Sequence, residues 1–216
     1  MSKSIIPLFR EYTRVLVEAY SDRVKWWMPM NEPGCFIMNA YMQGVHAPFK
    51  RNYLALSVLT RNCMLANAEA VEVIRKYAKQ PLEIGFVSAT MPPIPVNSTE
   101  KEIEAARDSY FRNDKYAFPV QNGIWEDTIC FGKYPEDIDT SLLPEGYEKD
   151  LAIISTPIDF IGLNIYRGQY ITADDGGNRI NVPSGLNQPT TAMDWEITPE
   201  ALYWGPKFFH ERYGLP

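Results

Sequence analysis

The chain has 216 residues, 45% hydrophobic and 22% charged, the composition of a globular protein rather than a disordered segment. A formal net charge of −6 argues against a nucleic-acid surface, which needs clustered Lys and Arg. No apolar run approaches membrane-spanning length, and the first residues lack a charged-then-apolar signal pattern.

Leu8, Tyr12, Val15, Leu16 and Ala19 recur at helical spacing and predict an opening helix, which Ser21-Asp22 punctuates. Val24 to Met30 is short and apolar and predicts a buried strand, followed by a loop from Asn31 to Lys50. Leu56, Leu59, Cys63, Ala66, Ala70, Val73 and Tyr77 mark one face of a long helix that ends near Pro81. Leu82 to Ser88 predicts a second strand, and the three prolines between Met91 and Ser98 predict a loop. Thr99 and Glu102 have the spacing of a capping box, so a helix is expected to start there. Tyr116 to Leu151 reads as long and irregular, and Asp159 to Ile165 as a third strand. Tyr170 to Asp194 reads as loop, with a short hairpin around Asp175-Gly176-Gly177-Asn178. Thr198-Pro199 predicts an N-cap and first helical position, Gly214 a stop near Tyr213, and Pro206 a kink between them.

Strands alternating with helices imply an α/β protein with a parallel sheet and right-handed crossovers. Only three strands are convincing, whereas a closed eight-stranded barrel takes about 250 residues. The expected architecture is therefore a partial (β/α)8 barrel, a single unit over residues 1–216 with no internal repeat. Cys35, Cys63 and Cys130 are odd in number and without metal-ligand or CxxC spacing, so they read as reduced thiols in a cytoplasmic protein. His46 and His210 are too separated to suggest a metal site or a nucleophile–base pair. No cofactor is implied.

Two stretches could carry chemistry. In Trp26-Trp27-Met28-Pro29-Met30-Asn31-Glu32-Pro33 an apolar run stops at an amide and a carboxylate, as a barrel strand delivers polar groups at its C-terminal end. A carboxylate there can act as a general acid, and it is half of the pair a glycosidase needs. Asp159-Phe160-Ile161-Gly162-Leu163-Asn164-Ile165-Tyr166 is again an apolar strand ending in an amide and a phenol.

In this order and separation the two stretches resemble the family 1 glycoside hydrolases, typified by β-glucosidases. Trp27 to Pro33 is similar to that family's fourth-strand acid/base motif, and Asp159 to Tyr166 to its sixth-strand motif. Gly44-Val45-His46-Ala47-Pro48 resembles the loop after the acid/base, and Thr191 to Tyr203 resembles the run into the sixth helix. The resemblance covers essentially the whole chain. It implies that Glu32 is the acid/base, that Asn31 binds the hydroxyl next to the anomeric carbon, that Asn164 lines the site, and that Tyr166 contacts the nucleophile. It implies retention through a covalent glycosyl-enzyme, which needs two carboxylates about 5–5.5 Å apart. Gly34, Ala89 and Ile165 depart from the family's usual Trp, Asn and Tyr.

The family's nucleophile lies in a Thr-Glu-Asn-Gly motif of the seventh strand, which these residues do not contain. Glu126, Asp127, Asp159 and Glu196 are the other carboxylates near the motifs, and none has support as a substitute. The expectation is the part of a retaining β-glycosidase spanning strands four to six, inactive by itself. Alternatives are one piece of a split enzyme completed by a complementary chain, a self-associating module whose sheet edges pair between copies, and a sugar-binding protein without turnover. The partner in view is a β-glycoside or oligosaccharide, with no nucleic acid and no membrane. Which sugar is bound is not encoded in the Asn-Glu-Pro motif, and no basic cluster favours a phosphorylated one.

Overall fold

The computed structural model describes residues 3–113, 121–183, 185 and 187–216. In chain order the elements are α1 (Ile5–Tyr20), β1 (Trp26–Trp27), α2 (Pro33–Ile37), α3 (Leu56–Tyr77), β2 (Glu83–Thr90), β3 (Pro93–Pro95), α4 (Glu100–Phe111), α5 (Asn122–Phe131), α6 (Glu148–Ile154), β4 (Phe160–Ile165), β5 (Gln169–Ala173), β6 (Arg179–Asn181) and α7 (Ala201–Tyr213). They form two compact units, Met1–Ser88 with Asn113–Gly162, and Ala89–Arg112 with Leu163–Pro216. One three-stranded sheet has the order β1-β2-β4, the other β3-β5-β6.

The core of the first unit is α3. The sequence predicts one apolar stripe, but the helix is buried on nearly all sides, including Thr60, Arg61, Asn62 and Asn67, because α1 and α6 both pack on it. Helix α1 forms as expected but turns a different face inward. Thr13 and Val17 are buried, while Leu8, Tyr12 and Val15 are more than half exposed. The apolar residues of α1 thus cover two faces, and α3 takes only one of them.

Strand β1 is shorter and more exposed than the expected strand Val24 to Met30. Only Trp26 and Trp27 lie in the parallel ladder, opposite Glu83 and Ile84, and Trp26 is 61% exposed. Pairing resumes at Asn31, opposite Val87. Between these two points β1 advances four residues and β2 three, so one residue is extra, the signature of a bulge. Pro29, with no N–H for the ladder, stands within it. The expected loop after Asn31 contains α2 and one π-helical turn, Met38–Met42. Pro33 at the first helical position is pre-set for a helix, and Ile37 and Ala40 supply buried apolar contacts.

Asp159 joins β4 to β2. Its N–H donates to the Ile84 carbonyl at 2.7 Å, and its carboxylate accepts from the Ile84 N–H at 2.8 Å. The segment expected to be irregular from Tyr116 to Leu151 instead contains α5, a 3₁₀ turn at Thr140–Leu142 and the start of α6; its first residues, 116–120, lie outside those described. Scattered Gly and Pro mask this helix in the sequence, yet Gly123 to Ile129 are all buried and Gly132 ends α5 at φ 66°.

In the second unit, β3 runs parallel to β5 within the segment expected to be a proline loop. Its two prolines are tolerated because β3 is an edge strand, where missing donors cost no ladder bond. The hairpin is present: β5 and β6 pair antiparallel around Asp174–Asn178. Helix α4 starts after Thr99, but no capping box forms. Glu102 is buried and accepts from Thr172 Oγ1 and the Ala173 N–H, both at 3.0 Å. Thr198 likewise spends its hydroxyl elsewhere, accepting from the Gly168 N–H at 2.6 Å. Helix α7 ends at Gly214 as expected, with φ 68°, and Pro206 lies inside it.

Candidate active site

Asn31 and Glu32 follow β1 where the chain rejoins β2. The Glu32 N–H donates to the Val87 carbonyl at 2.9 Å, which fixes the backbone of the carboxylate to the strand beside it. Glu32 has φ 46° and ψ 55°, the left-handed region that is uncommon for a residue with a side chain. Such outliers persist where the surroundings over-determine them, and they cluster at functional sites. The Glu32 carbonyl starts α2, accepting from the Cys35 N–H at 3.0 Å. An N-cap residue ordinarily has extended backbone and turns its side-chain oxygen onto the helix amides. Glu32 does neither, so its carboxylate is not consumed in capping. Burial pushes the Cys35 thiol up to about 11, with Glu32 nearby adding to the rise. The sequence marks Cys35 only as a reduced thiol, and its spacing of three from Glu32 across a helix start is the one local signal linking the two.

Asn31 is exposed and also borders a cavity of about 310 Å³. Ile5 and Phe9 of α1, Met30, Phe36 and Cys63 of α3 give that cavity an apolar wall, with Asn62 as its other amide. Asn164 lies in β4, half-buried. Tyr166 follows β4, is 57% exposed, and packs its ring 5.4 Å from that of Trp195. Among the positions that depart from the family pattern, Gly34 lies in α2, half-buried Ala89 in β2, and Ile165 at the end of β4.

The remaining carboxylates have other surroundings. Asp159 is bound to the backbone of β2 and paired with Arg75 at the N-terminal ends of the strands. Glu126 and Asp127 are in α5, not in an irregular loop, and both are buried. Glu126 is pushed up to about 8, mainly by burial. Nothing in the sequence distinguishes this carboxylate from one on a solvated helix face. Glu196 lies in an isolated bridge with Thr190. No group of acidic, His and Cys residues that could hold a metal ion occurs among the described residues.

Parallel strands alternating with helices define part of a (β/α)8 barrel. The family model "Glycosyl hydrolase family 1" matches residues 1–216, and the chain belongs to that family. It is 35% identical to β-glucosidase A of Thermotoga maritima, over 100% of this chain and 47% of that protein. It is 34% identical to a 1,4-β-D-glucan glucohydrolase of Thermotoga neapolitana, over 98% of this chain and 49% of that protein. A solved β-glucosidase from Thermotoga maritima in complex with glucoimidazole superposes with a TM-score of 0.79 at 33% identity, over all of this chain and 47% of that one. The chain thus spans about half the length of these relatives.

Proposed function

We propose that these residues carry the acid/base part of a retaining β-glycosidase acting on β-glucosides or related β-glycosides. The observation that carries this reading is Glu32 at the C-terminal end of β1, its N–H held by Val87 and its carboxylate unused in capping α2. In the first step Glu32 gives its proton to the glycosidic oxygen as the bond to the anomeric carbon breaks and a carboxylate nucleophile bonds to that carbon. In the second it takes a proton from the water that releases the sugar. Asn31 hydrogen-bonds the neighbouring hydroxyl, and Asn164 and Tyr166 line the site. No nucleophile is identified among the described residues, so the chain by itself is expected not to turn over.

A complementary segment with the remaining barrel strands is part of the same proposal. The exposed apolar residues of α1, and Trp26 and Met28 at 61% and 52% exposure, support further packing on this unit. The same surface supports the second reading, a self-associating or sugar-binding module. A cytoplasmic location is also proposed, consistent with cysteines that form no disulfide. No described helix is long and apolar enough to cross a membrane.

The test is aryl-β-glucoside hydrolysis by the 216-residue chain, alone and co-expressed with the segments of Thermotoga maritima β-glucosidase A that it does not match. Turnover is expected only in the mixture and is lost in Glu32→Gln. Equal turnover by wild type and Glu32→Gln would overturn the assignment. A symmetric homo-oligomer that binds glucoside without turnover in either setting favours the second reading.

A further inference from the structure

The cavity lined by α1, α2, α3 and residues 29–31 takes no part in the glycosidase reading beyond Asn31. Every residue around it belongs to the first unit. One end of it is deep, because Asn62, Cys63 and Ala66 of α3 are each exposed by 5% or less. The other end opens on Ile5, Asn31 and Phe36, which are exposed. The cavity is therefore a pocket with a floor and an entrance, not a sealed packing defect.

Volume and lining decide what fits. An apolar cavity of about 150 Å³ holds one benzene ring. At about 310 Å³ this one has room for two fused rings. Phe9 and Phe36 offer aromatic surface, and Met30 offers a thioether, which packs favourably at ring edges. No charged side chain is among the described residues that line the cavity, so an ion entering it loses hydration without gaining a counter-charge. A sugar buries several hydroxyls there against two amides, and most stay unpaired. Those amides, Asn31 and Asn62, differ in setting. Asn31 is open to water, so a ligand bond to it only replaces a bond to solvent. Asn62 is at the floor, where a hydrogen bond forms away from water and is electrostatically stronger.

We propose that this cavity binds a small neutral aromatic molecule of two fused rings with one hydroxyl or N–H. The rings pack on Phe9 and Phe36, and the polar hydrogen is donated to the Asn62 side-chain carbonyl. The site is independent of the acid/base reading of Glu32 and stands if that reading fails.

Indole is the probe, titrated calorimetrically into the 216-residue chain. A Kd on the order of 0.1 mM is expected for a ligand of this size. 1-Methylindole, which keeps the rings but has no N–H, is expected to bind about fivefold more weakly. Indole-3-carboxylate is expected to bind about tenfold more weakly or worse. Cys63 reports the location, since it lines the cavity and Cys130 does not. Indole at about ten times its Kd is expected to slow alkylation of Cys63 by N-ethylmaleimide about tenfold, resolved by mass spectrometry, with Cys130 unchanged. Ala66→Leu, which fills the floor, is expected to abolish binding, and Asn62→Leu to erase the preference for indole over 1-methylindole. Absence of binding, or alkylation slowed at both cysteines or at neither, overturns the site. Equal affinity for the carboxylate overturns its neutral chemistry, and equal affinity for indole and 1-methylindole overturns the role of Asn62. The Cys63 measurement needs no variant, so it decides the matter even where Ala66→Leu does not fold.

Discussion

The carboxyl group of Glu126 on α5 faces the Ser88 side chain on β2. The serine favours the charged form, yet both Glu126 oxygens are buried without a partner at ordinary hydrogen-bond distance among the described residues. Burial therefore dominates and pushes the group up to about 8, with the Asp127 charge adding to the rise. Cys130 feels both charges in turn. Ser88 follows Val87, whose carbonyl accepts from the Glu32 N–H.

A carboxyl raised in the folded state stabilises the fold fully below its unfolded value, and this contribution is lost as pH rises toward the folded value. For Glu126 the window runs from about 4.5 to about 8. Each pH unit across it costs about 1.4 kcal/mol. Glu126→Gln removes the titration while keeping the shape. The difference in Tm between Glu126→Gln and wild type should grow in favour of the variant from pH 5 to pH 8 and level off above. A difference that is flat with pH would show that Glu126 is ionised or solvated in the folded protein.

Arg61 on α3 and Asp150 on α6 form a close ion pair with side-chain exposures of only 10% and 15%. Such a pair stabilises little relative to apolar residues of the same size, because desolvation offsets the attraction, but losing one partner strands the other charge. Arg61→Ala or Asp150→Ala should each cost about 3–5 kcal/mol in urea unfolding. The double replacement Arg61→Met with Asp150→Leu should cost much less than the two single losses combined. Additive losses would mean that the two residues act separately.

The strand–helix alternation was legible because it depends on residue periodicity, which local sequence carries. Use of polar side chains was much less so. Thr99 and Glu102 have capping-box spacing, but Glu102 satisfies β5, about seventy residues away in the chain. Thr198 precedes a helix, yet its hydroxyl is taken by Gly168. Both are long-range contacts that override a local rule without abolishing the helix it announced. Within the site, Asn31 and Glu32 could be singled out because a strand ending in a carboxylate is a local pattern. The bulge before them and the left-handed backbone at Glu32 depend on pairing with β2 and on the way α2 starts.

Gly85 offers a test of how β2 supports that site. It lies in the middle strand of β1-β2-β4, and the Phe160 ring of β4 crosses over it. The ring reaches Trp26 of β1 edge-on, with centroids 5.4 Å apart. A Cβ at position 85 would overlap the Phe160 ring, so Gly85→Ala must push the ring away and open its contact with Trp26. Overpacking of this kind costs about 1–3 kcal/mol. Gly85 is two residues before Val87, so the displacement also reaches the carbonyl that anchors Glu32. Gly85→Ala is therefore expected to lower Tm and to increase hydrogen exchange at the Glu32 amide. Phe160→Leu added to it should restore part of both, because the smaller side chain leaves room for the new methyl group. If Gly85→Ala melts as wild type does, or if Phe160→Leu adds its own loss in full, the aromatic crossing does not set the spacing of the strands.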